Sequence, residues 1–501
     1  MRLTGRIDSA PAQLWHEEVL APQFDYEAEH LLGYYVAIEK VLLLEYLRMG
    51  LADRATACRL ADRLDSVTRG RLRADPAENL SDIAFALERA ALDGRDTVFP
   101  AWHVDRSRND FQACAQLMAA RERLLSVARH LTAFGRAAWR RAAQCAEMPM
   151  PGYTHLQPAQ VVTPGFYLAA VIEETLAVLR RLGVTYAEID LSPLGSGAMA
   201  GQELAWDRDR MARLLGFSRV QPHALVGVAS RTWALNLASD LSGYGVVLSR
   251  FTTDLMAWGS AAYEFIELPD ELAGISSAMP QKRNYPILER IRGRSAHLAG
   301  HAVAIAIGHR ATPYANTVEV SKEVGADIAP LTDAAVSTLR LLTLVIEELS
   351  FREDRMRAVC ETSFLGAFTL ANLLTMKAGV PWRKAQVIAG RYVAEAAKQG
   401  RTSADPDEGA LGAILSDSGY AVEDAAGLLA ESFDVDRCLR AKRSSGSAHP
   451  VAVRELLAVQ GEALDQAEAE WRDRSAAVLA SLAGEGRFAE AAGGCDFDGV
   501  S

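Results

Sequence analysis

Apolar residues recur at three- and four-residue spacing along most of this chain. Residues 28–50, AEHLLGYYVAIEKVLLLEYLRMG, carry the pattern and end on a glycine, which predicts one amphipathic helix. The same periodicity predicts helices over 111–147, 164–188, 232–264, 286–310, 325–350 and 451–483. Several of these run beyond about 20 residues without a breaker, which favours a bundle of long helices over a compact globin-like ball. Strand-like alternation with hairpin dipeptides is scarce, and there is no internal repeat. The expected fold is all-α. So many apolar stripes predict association through the long helices, unless one large monomeric core absorbs them all.

Breaks in the periodicity divide the chain into three expected parts. Residues 1–105 form an N-terminal helical domain that runs into the polar stretch DGRDTVFPAWHVDRSRND. Residues 106–355 form the central long-helix bundle and hold most of the polar loops. Residues 356–501 form a smaller helical domain punctuated by GVPWRKAQVIAG and AKRSSGSAHP. The tail from Gly484, rich in glycine and alanine, is expected to fray.

Composition narrows the function classes. Half of the 501 residues are apolar and 23% are charged, as in ordinary globular proteins. The 53 basic and 64 acidic side chains give a net charge of −11, which argues against nucleic acid as a partner. An anionic small molecule remains possible where a few Arg and Lys converge. The six cysteines are scattered without a CxxC pair, so neither a disulfide framework nor a zinc site is expected, and a cytoplasmic location fits. The N-terminus has no apolar signal core, and no run approaches about 18 apolar residues, so no membrane association is expected.

Four polar loops interrupt the helices: HVDRSRND (103–110), PGYTHLQPAQ (151–160), PLGSGAMAG (193–201) and GISSAMPQKRN (274–284). Taken singly, each has an ordinary structural explanation. An Arg-Asn-Asp turn is usually a helix cap, and Gly-Ser-Gly is usually a turn. A lone histidine such as His155 is more often structural than catalytic.

Taken together on an all-helical background, the four loops closely resemble the fumarase/aspartase superfamily, and the nearest branch is that of the argininosuccinate lyases. Ser107, Arg108, Asn109 and Asp110 match the branch's Ser-Arg-Asn-Asp loop. Gly152 to Gln157 match Gly-Tyr-Thr-His-Leu-Gln, and Pro193 to Ala198 match Pro-Leu-Gly-Ser-Gly-Ala. Ser276 to Asn284 match the superfamily signature Ser-Ser-x-Met-Pro-x-Lys-x-Asn. The resemblance spans roughly residues 20 to 455. It implies a three-domain fold with a central bundle that assembles into a tetrameric helical core, and active sites built from three subunits of a homotetramer. The implied activity is cleavage of an N-substituted aspartate to fumarate and an amine, with no metal or organic cofactor.

Such a reaction removes a weakly acidic proton beside a carboxylate, so the charge that develops must be held by preorganised donors. By resemblance Ser276 is the general base, acting as an oxyanion that backbone amides and cations stabilise once water is excluded. Lys282 and Asn284 are the implied donors on the same loop. His155 is a candidate for protonating the departing nitrogen. Glu289 matches the carboxylate partner of that histidine, although a first-turn acid near a helix N-terminus is equally ordinary. Ser107, Asn109 and Thr154 would grip substrate carboxylates with Arg108 supplying charge, and Ser277 and Met279 of the signature complete that set.

Departures from the branch concentrate where the leaving amine would be read. Asp25, Arg231, Tyr314 and Lys322 keep their places. Glu319 stands where the branch has glutamine, and Ala21 stands where it has serine. SDIA (81–84) retains Asp82 but lacks a histidine, and VASRT (228–232) has lost two acids. A carboxylate at Glu319 would repel an amino acid's α-carboxylate and attract an extra ammonium. This favours a diamine or similar basic leaving group, and a branch of the family does cleave ethylenediamine-N,N′-disuccinate, an aminopolycarboxylic acid. Argininosuccinate stays open if Glu319 is only a surface partner of Lys322. A crystallin-like structural role without catalysis would not need Ser276, Lys282, Asn284 and His155 together. A hydratase fits poorly with the SRND and GYTHLQ loops.

Overall fold

The computed structural model describes residues 9–78, 81–92 and 99–482; the tail beyond 482 lies outside them. The main helices are α1 (Ala21–His30), α2 (Leu32–Arg48), α3 (Arg54–Asp65), α4 (Ile83–Leu92) and α5 (Arg108–Gln144). A hairpin of β1 (Met150–Thr154) and β2 (Gln157–Val162) leads into α6 (Pro164–Ile189), and α7 (Thr232–Trp258) follows. A short ribbon of β3 (Gly274–Ile275) and β4 (Arg283–Asn284) precedes α8 (Pro286–His309) and α9 (Ile328–Glu348). Shorter helices fill 353–440, and α10 (Pro450–Leu482) is the last described element. The fold is all-α: among the described residues strands pair only as two-stranded ribbons.

Periodicity placed the long helices to within a few residues, with three differences. The stretch 28–50 is not one helix, because Leu31 leaves helical geometry (φ −125, ψ −8) and separates α1 from α2. The helix predicted to reach 264 ends at Trp258, and Glu264 adopts a left-handed φ of 53. The polar loop 151–160 is largely hairpin, since His155 and Leu156 supply the left-handed turn that a two-residue connection requires.

Helices α5 to α9 form the bundle, and α10 packs back against α5 and α6. One continuous core runs from Phe24 on α1 through Leu131 and Phe134 on α5 to Leu464 and Trp471 on α10. Each fully buried Leu or Phe of this kind contributes about 1.5–3 kcal/mol. Gly245 lets α7 and α8 approach closely, because a Cβ there would lie 3.0 Å from the Ser295 carbonyl. A second core lies within 364–433, around Leu370, Ile388, Tyr392 and Leu415. A small third cluster seats Val161 of β2 on Cys360, Leu365, Val435 and Leu439, which fixes the base of the hairpin.

No disulfide framework was expected of the scattered cysteines, and a single bonded cysteine is found among the described residues. Cys58 is disulfide-bonded, while Cys114, Cys145, Cys360 and Cys438 are free and buried. One helical run, Glu319–Glu348, has the length and mean hydropathy (1.4) to cross a membrane, though polar residues such as Asp333 and Arg340 interrupt it. Half of its apolar window is buried in the protein. The bent pair Glu353–Thr362 and Ala367–Ala378 passes only if joined.

Candidate active site

The best-organised part of the site begins at the N-terminus of α5. Ser107 is its cap, with Oγ accepting from the Asn109 amide at 3.1 Å. Asn109 Nδ2 donates to the Ala198 carbonyl at 2.9 Å, joining the SRND and PLGSGA loops. Beneath them, buried Asp110 accepts from the amides of Gly195 (2.9 Å), Gly197 (3.0 Å) and Phe111 (3.0 Å). Burial pushes the Asp110 carboxyl up to about 7, against the pull of these amides. Gly197 is required here: its φ is +60, and a Cβ would lie 2.4 Å from the Gly201 carbonyl oxygen.

The turn leading into this cap is held from behind. Buried Arg106 donates to Glu39 of α2 at 2.6 Å, and Asp105 accepts from the Glu203 and Leu204 amides. His103 and Asp105 both take left-handed φ values, 68 and 56. Burial, with Arg106 and Arg108 nearby, lowers the His103 pKa to about 4. Arg108 pairs with Asp82 at 2.5 Å and lies over the Phe85 ring, so its charge is already matched.

A second group adjoins the first. Lys322 forms an ion pair with Glu27 of α1, which is 2% exposed. Burial raises the Glu27 pKa, Lys322 pulls it down, and the Asp82 carboxylate pushes it up again. Lys322 lies in a π-helical turn, Glu319–Glu323, a geometry found often at functional sites. Gln116 of α5 fastens that turn, donating to the Ser321 carbonyl at 2.5 Å and accepting from Arg231 Nε at 3.1 Å. Arg231 is buried, and burial lowers its pKa to about 10. Its Nη2 has no hydrogen-bond partner, and the residue lines a cavity of about 230 Å³ with Glu188, Gln221 and Pro193.

The remaining residues sit apart from these two groups within one chain. Thr154 and His155 are exposed at the hairpin tip. His155 and Leu156 hold φ values of 53 and 61 without being glycine, a strain of roughly 1 kcal/mol or more each. Ser276 Oγ accepts from the Met279 amide at 3.0 Å and more weakly from Ala278 at 3.4 Å, so backbone dipoles already favour negative charge on that oxygen. Ser277, Met279 and Lys282 are exposed. Arg283 anchors the loop base to Glu267 (3.2 Å), Asp270 (2.9 Å) and the Leu268 carbonyl (2.6 Å). Asn284 is half-buried on β4, paired with Gly274. Glu289 is exposed in the first turn of α8. Among the described residues, the side chains of His155, Lys282 and Glu289 make no hydrogen bond or ion pair.

Three expected residues of the leaving-group side are exposed in the single chain: Asp25, Glu319 and Tyr314, the last at 63%. Glu319 does not pair with Lys322, and its own backbone amide, with Thr317 nearby, lowers its pKa. The buried carboxylate on α1 is Glu27, which sequence reasoning missed. The signal was present, because Phe24, Glu27, Ala28 and Leu31 share the i, i+3, i+4, i+7 apolar face.

A helical bundle carrying capped polar loops of this kind defines a lyase fold of the fumarase/aspartase type. The family model described as Lyase matches residues 95–300. The argininosuccinate lyase of Synechococcus elongatus is 34% identical over 334 residues, covering 66% of this chain and 71% of the relative. That of Methanothermobacter thermautotrophicus is 30% identical over 409 residues, covering 81% and 87%. Among solved structures, an EDDS lyase in complex with formate superposes with a TM-score of 0.84 at 24% identity, covering 97% of this chain and 96% of the other. The chain belongs to the argininosuccinate lyase family and is a carbon–nitrogen lyase that forms fumarate.

Proposed function

We propose that this lyase cleaves an aminopolycarboxylate of the ethylenediamine-N,N′-disuccinate type, releasing fumarate by reversible β-elimination. Ser276 takes the proton from the carbon beside a substrate carboxylate. Lys282 and Asn284 hold the dianion that results, and the C–N electron pair leaves on nitrogen, which His155 helps to protonate with Glu289 as its partner. Ser107, Arg108, Asn109 and Thr154 hold the carboxylates, and no metal or organic cofactor takes part. The single observation carrying the choice of leaving group is the acidity of its side: Glu27 and Asp82 occupy Lys322 and Arg108, and Glu319 adds an exposed carboxylate. A second ammonium on the leaving amine is stabilised there. The second reading, argininosuccinate, draws on the named activity of the sequence relatives.

The working form is a cytoplasmic homotetramer whose sites draw on three subunits, with the three-part division of the chain at about 105 and 355. Support comes from catalytic side chains left exposed and unpartnered within one chain. Exposed apolar residues on the long helices point the same way: Val184 (67%), Val246 (57%), Val303 (62%) and Ile307 (60%).

The test follows fumarate absorbance on mixing the protein with ethylenediamine-N,N′-disuccinate or with argininosuccinate, using Ser276→Ala as control. Release from the first compound alone supports the proposal. Release from argininosuccinate alone overturns the substrate assignment, and silence on both from a folded oligomer points to another N-succinyl amine or to a structural role.

A further inference from the structure

The cation that the family resemblance places beside the leaving group is not free in this protein. Lys322 is paired with Glu27, whose side chain is almost wholly buried and also accepts from Gln23 Nε2 at 3.3 Å. The lysine has little freedom to leave this partner. Its π-helical turn is fastened by Gln116 at Ser321, and Tyr26 donates to the Gly325 carbonyl four residues further on. The cavity beside the pair, bounded by Tyr26, Glu27, Gln116, Arg123 and Lys322, holds only about 30 Å³.

We infer that Glu27 is a specificity-determining residue that turns the leaving-group side against amines bearing a carboxylate. The inference rests on the lyase reading given above. A carboxylate brought to Lys322 must compete with a buried anion already in contact. Three charges would then share a poorly hydrated site with one unit of negative charge in excess, where each close pair costs far more than in water. An amine without a carboxylate brings no anion into that competition with Glu27 for Lys322. The preferred substrate is therefore a mono-N-succinyl diamine, of which N-(2-aminoethyl)aspartate is the simplest. Its elimination balances without an oxidant or co-reactant: one C–H and one C–N bond break, the C=C bond of fumarate forms, and the amine departs with the electron pair and a proton. A disuccinate would be cleaved in two steps, with the second elimination faster than the first.

The experiment compares kcat/KM for fumarate release from N-(2-aminoethyl)aspartate, ethylenediamine-N,N′-disuccinate and argininosuccinate, for the wild-type enzyme and for Glu27→Gln and Glu27→Asp. The wild-type enzyme is expected to favour the first compound by about tenfold or more, as one unmatched charge in a partly buried site implies. Glu27→Gln frees Lys322 and is expected to shift that ratio about tenfold towards the two carboxylate-bearing amines, chiefly by lowering their KM. Glu27→Asp, which keeps the charge, is expected to retain the wild-type order. The wild-type order needs no variant to fold, and an order favouring the carboxylate-bearing amines overturns the inference. So does a folded Glu27→Gln enzyme with an unchanged ratio, which would make the ion pair a structural strut. Fumarate from none of the three compounds would sink the proposed substrate class, and this inference with it.

Discussion

The cradle at the head of α5 and the loop at 274–284 hold the two main sets of proposed site residues, yet they are built in opposite ways. In the cradle nearly every polar group is satisfied inside the chain: Ser107 caps, Asn109 reaches Ala198, and Asp110 holds three amides. In the loop, Arg283 fixes the base through Glu267, Leu268 and Asp270, while Ser277, Met279 and Lys282 stand exposed. The hairpin tip at His155 resembles the loop, with strained exposed residues on a base that Val161 seats firmly. Groups that grip a substrate can be rigid before it arrives. Groups that perform the chemistry need water removed, and one chain alone does not bury them.

The sharpest break of this comparison is at Ser276. Ser276→Ala is expected to lower kcat by about a thousandfold or more, as loss of an essential base does. Its melting temperature should stay within a degree or two, because the side chain bonds only to loop amides. Steady-state fumarate release and a thermal melt check both halves; a large drop in stability would mean the loop is structural.

Asp110→Ala should behave in the opposite sense. It strands the buried amides of Gly195 and Gly197 and is expected to cost about 2–4 kcal/mol, read as a fall of several degrees in melting temperature. Activity would be lost along with the loop geometry. An unchanged melting point would show that the cradle is not held as described.

A smaller effect is expected at His103, whose pKa is lowered to about 4 in the folded chain from an ordinary value near 6.5. Below about pH 6.5 the unfolded chain binds a proton that the folded chain refuses. Stability is therefore full above that pH and falls as pH drops towards 4, by about 1–2 kcal/mol after allowance for partial solvation. Denaturant melts from pH 7 to 4 should show a shallower decline for His103→Gln than for the wild-type protein. The smallest effect is expected for Arg283→Ala. Its exposed ion pairs add less than about 1 kcal/mol to stability, but a looser loop base should lower kcat/KM several-fold. Equal activity would show that the loop does not depend on its anchor.

Much of the fold was legible because a 3.6-residue period survives any arrangement of neighbours. Helices α5 to α9 could be read from it, with ends good to a few residues except that of α7, and caps such as Ser107 and Thr163 follow from residue type and position. The hairpin at 150–162 was not legible, because its turn is made by His155 and Leu156 rather than by Asn-Gly or Gly-Gly. Leu31 breaks a periodic stretch with only Gly33, two residues on, to hint at it. Of the site, the signature residues were readable as motifs, but which were satisfied and which stood free was not.

Taken alone, the sequence determined the helical class, the long bundle helices and the loops that carry the chemistry, because spacing and capping act over a few residues. Pairings remote in sequence were settled only by tertiary structure. Glu27 meets Lys322 across 295 positions and Gln116 meets Ser321 across 205. Docking of the π-helical turn on α5, beside α1, brought those partners together and buried Glu27, and no local pattern encodes that contact. Its consequence is electrostatic: a lysine that reads as a free substrate ligand in the sequence is, in the folded chain, already neutralised.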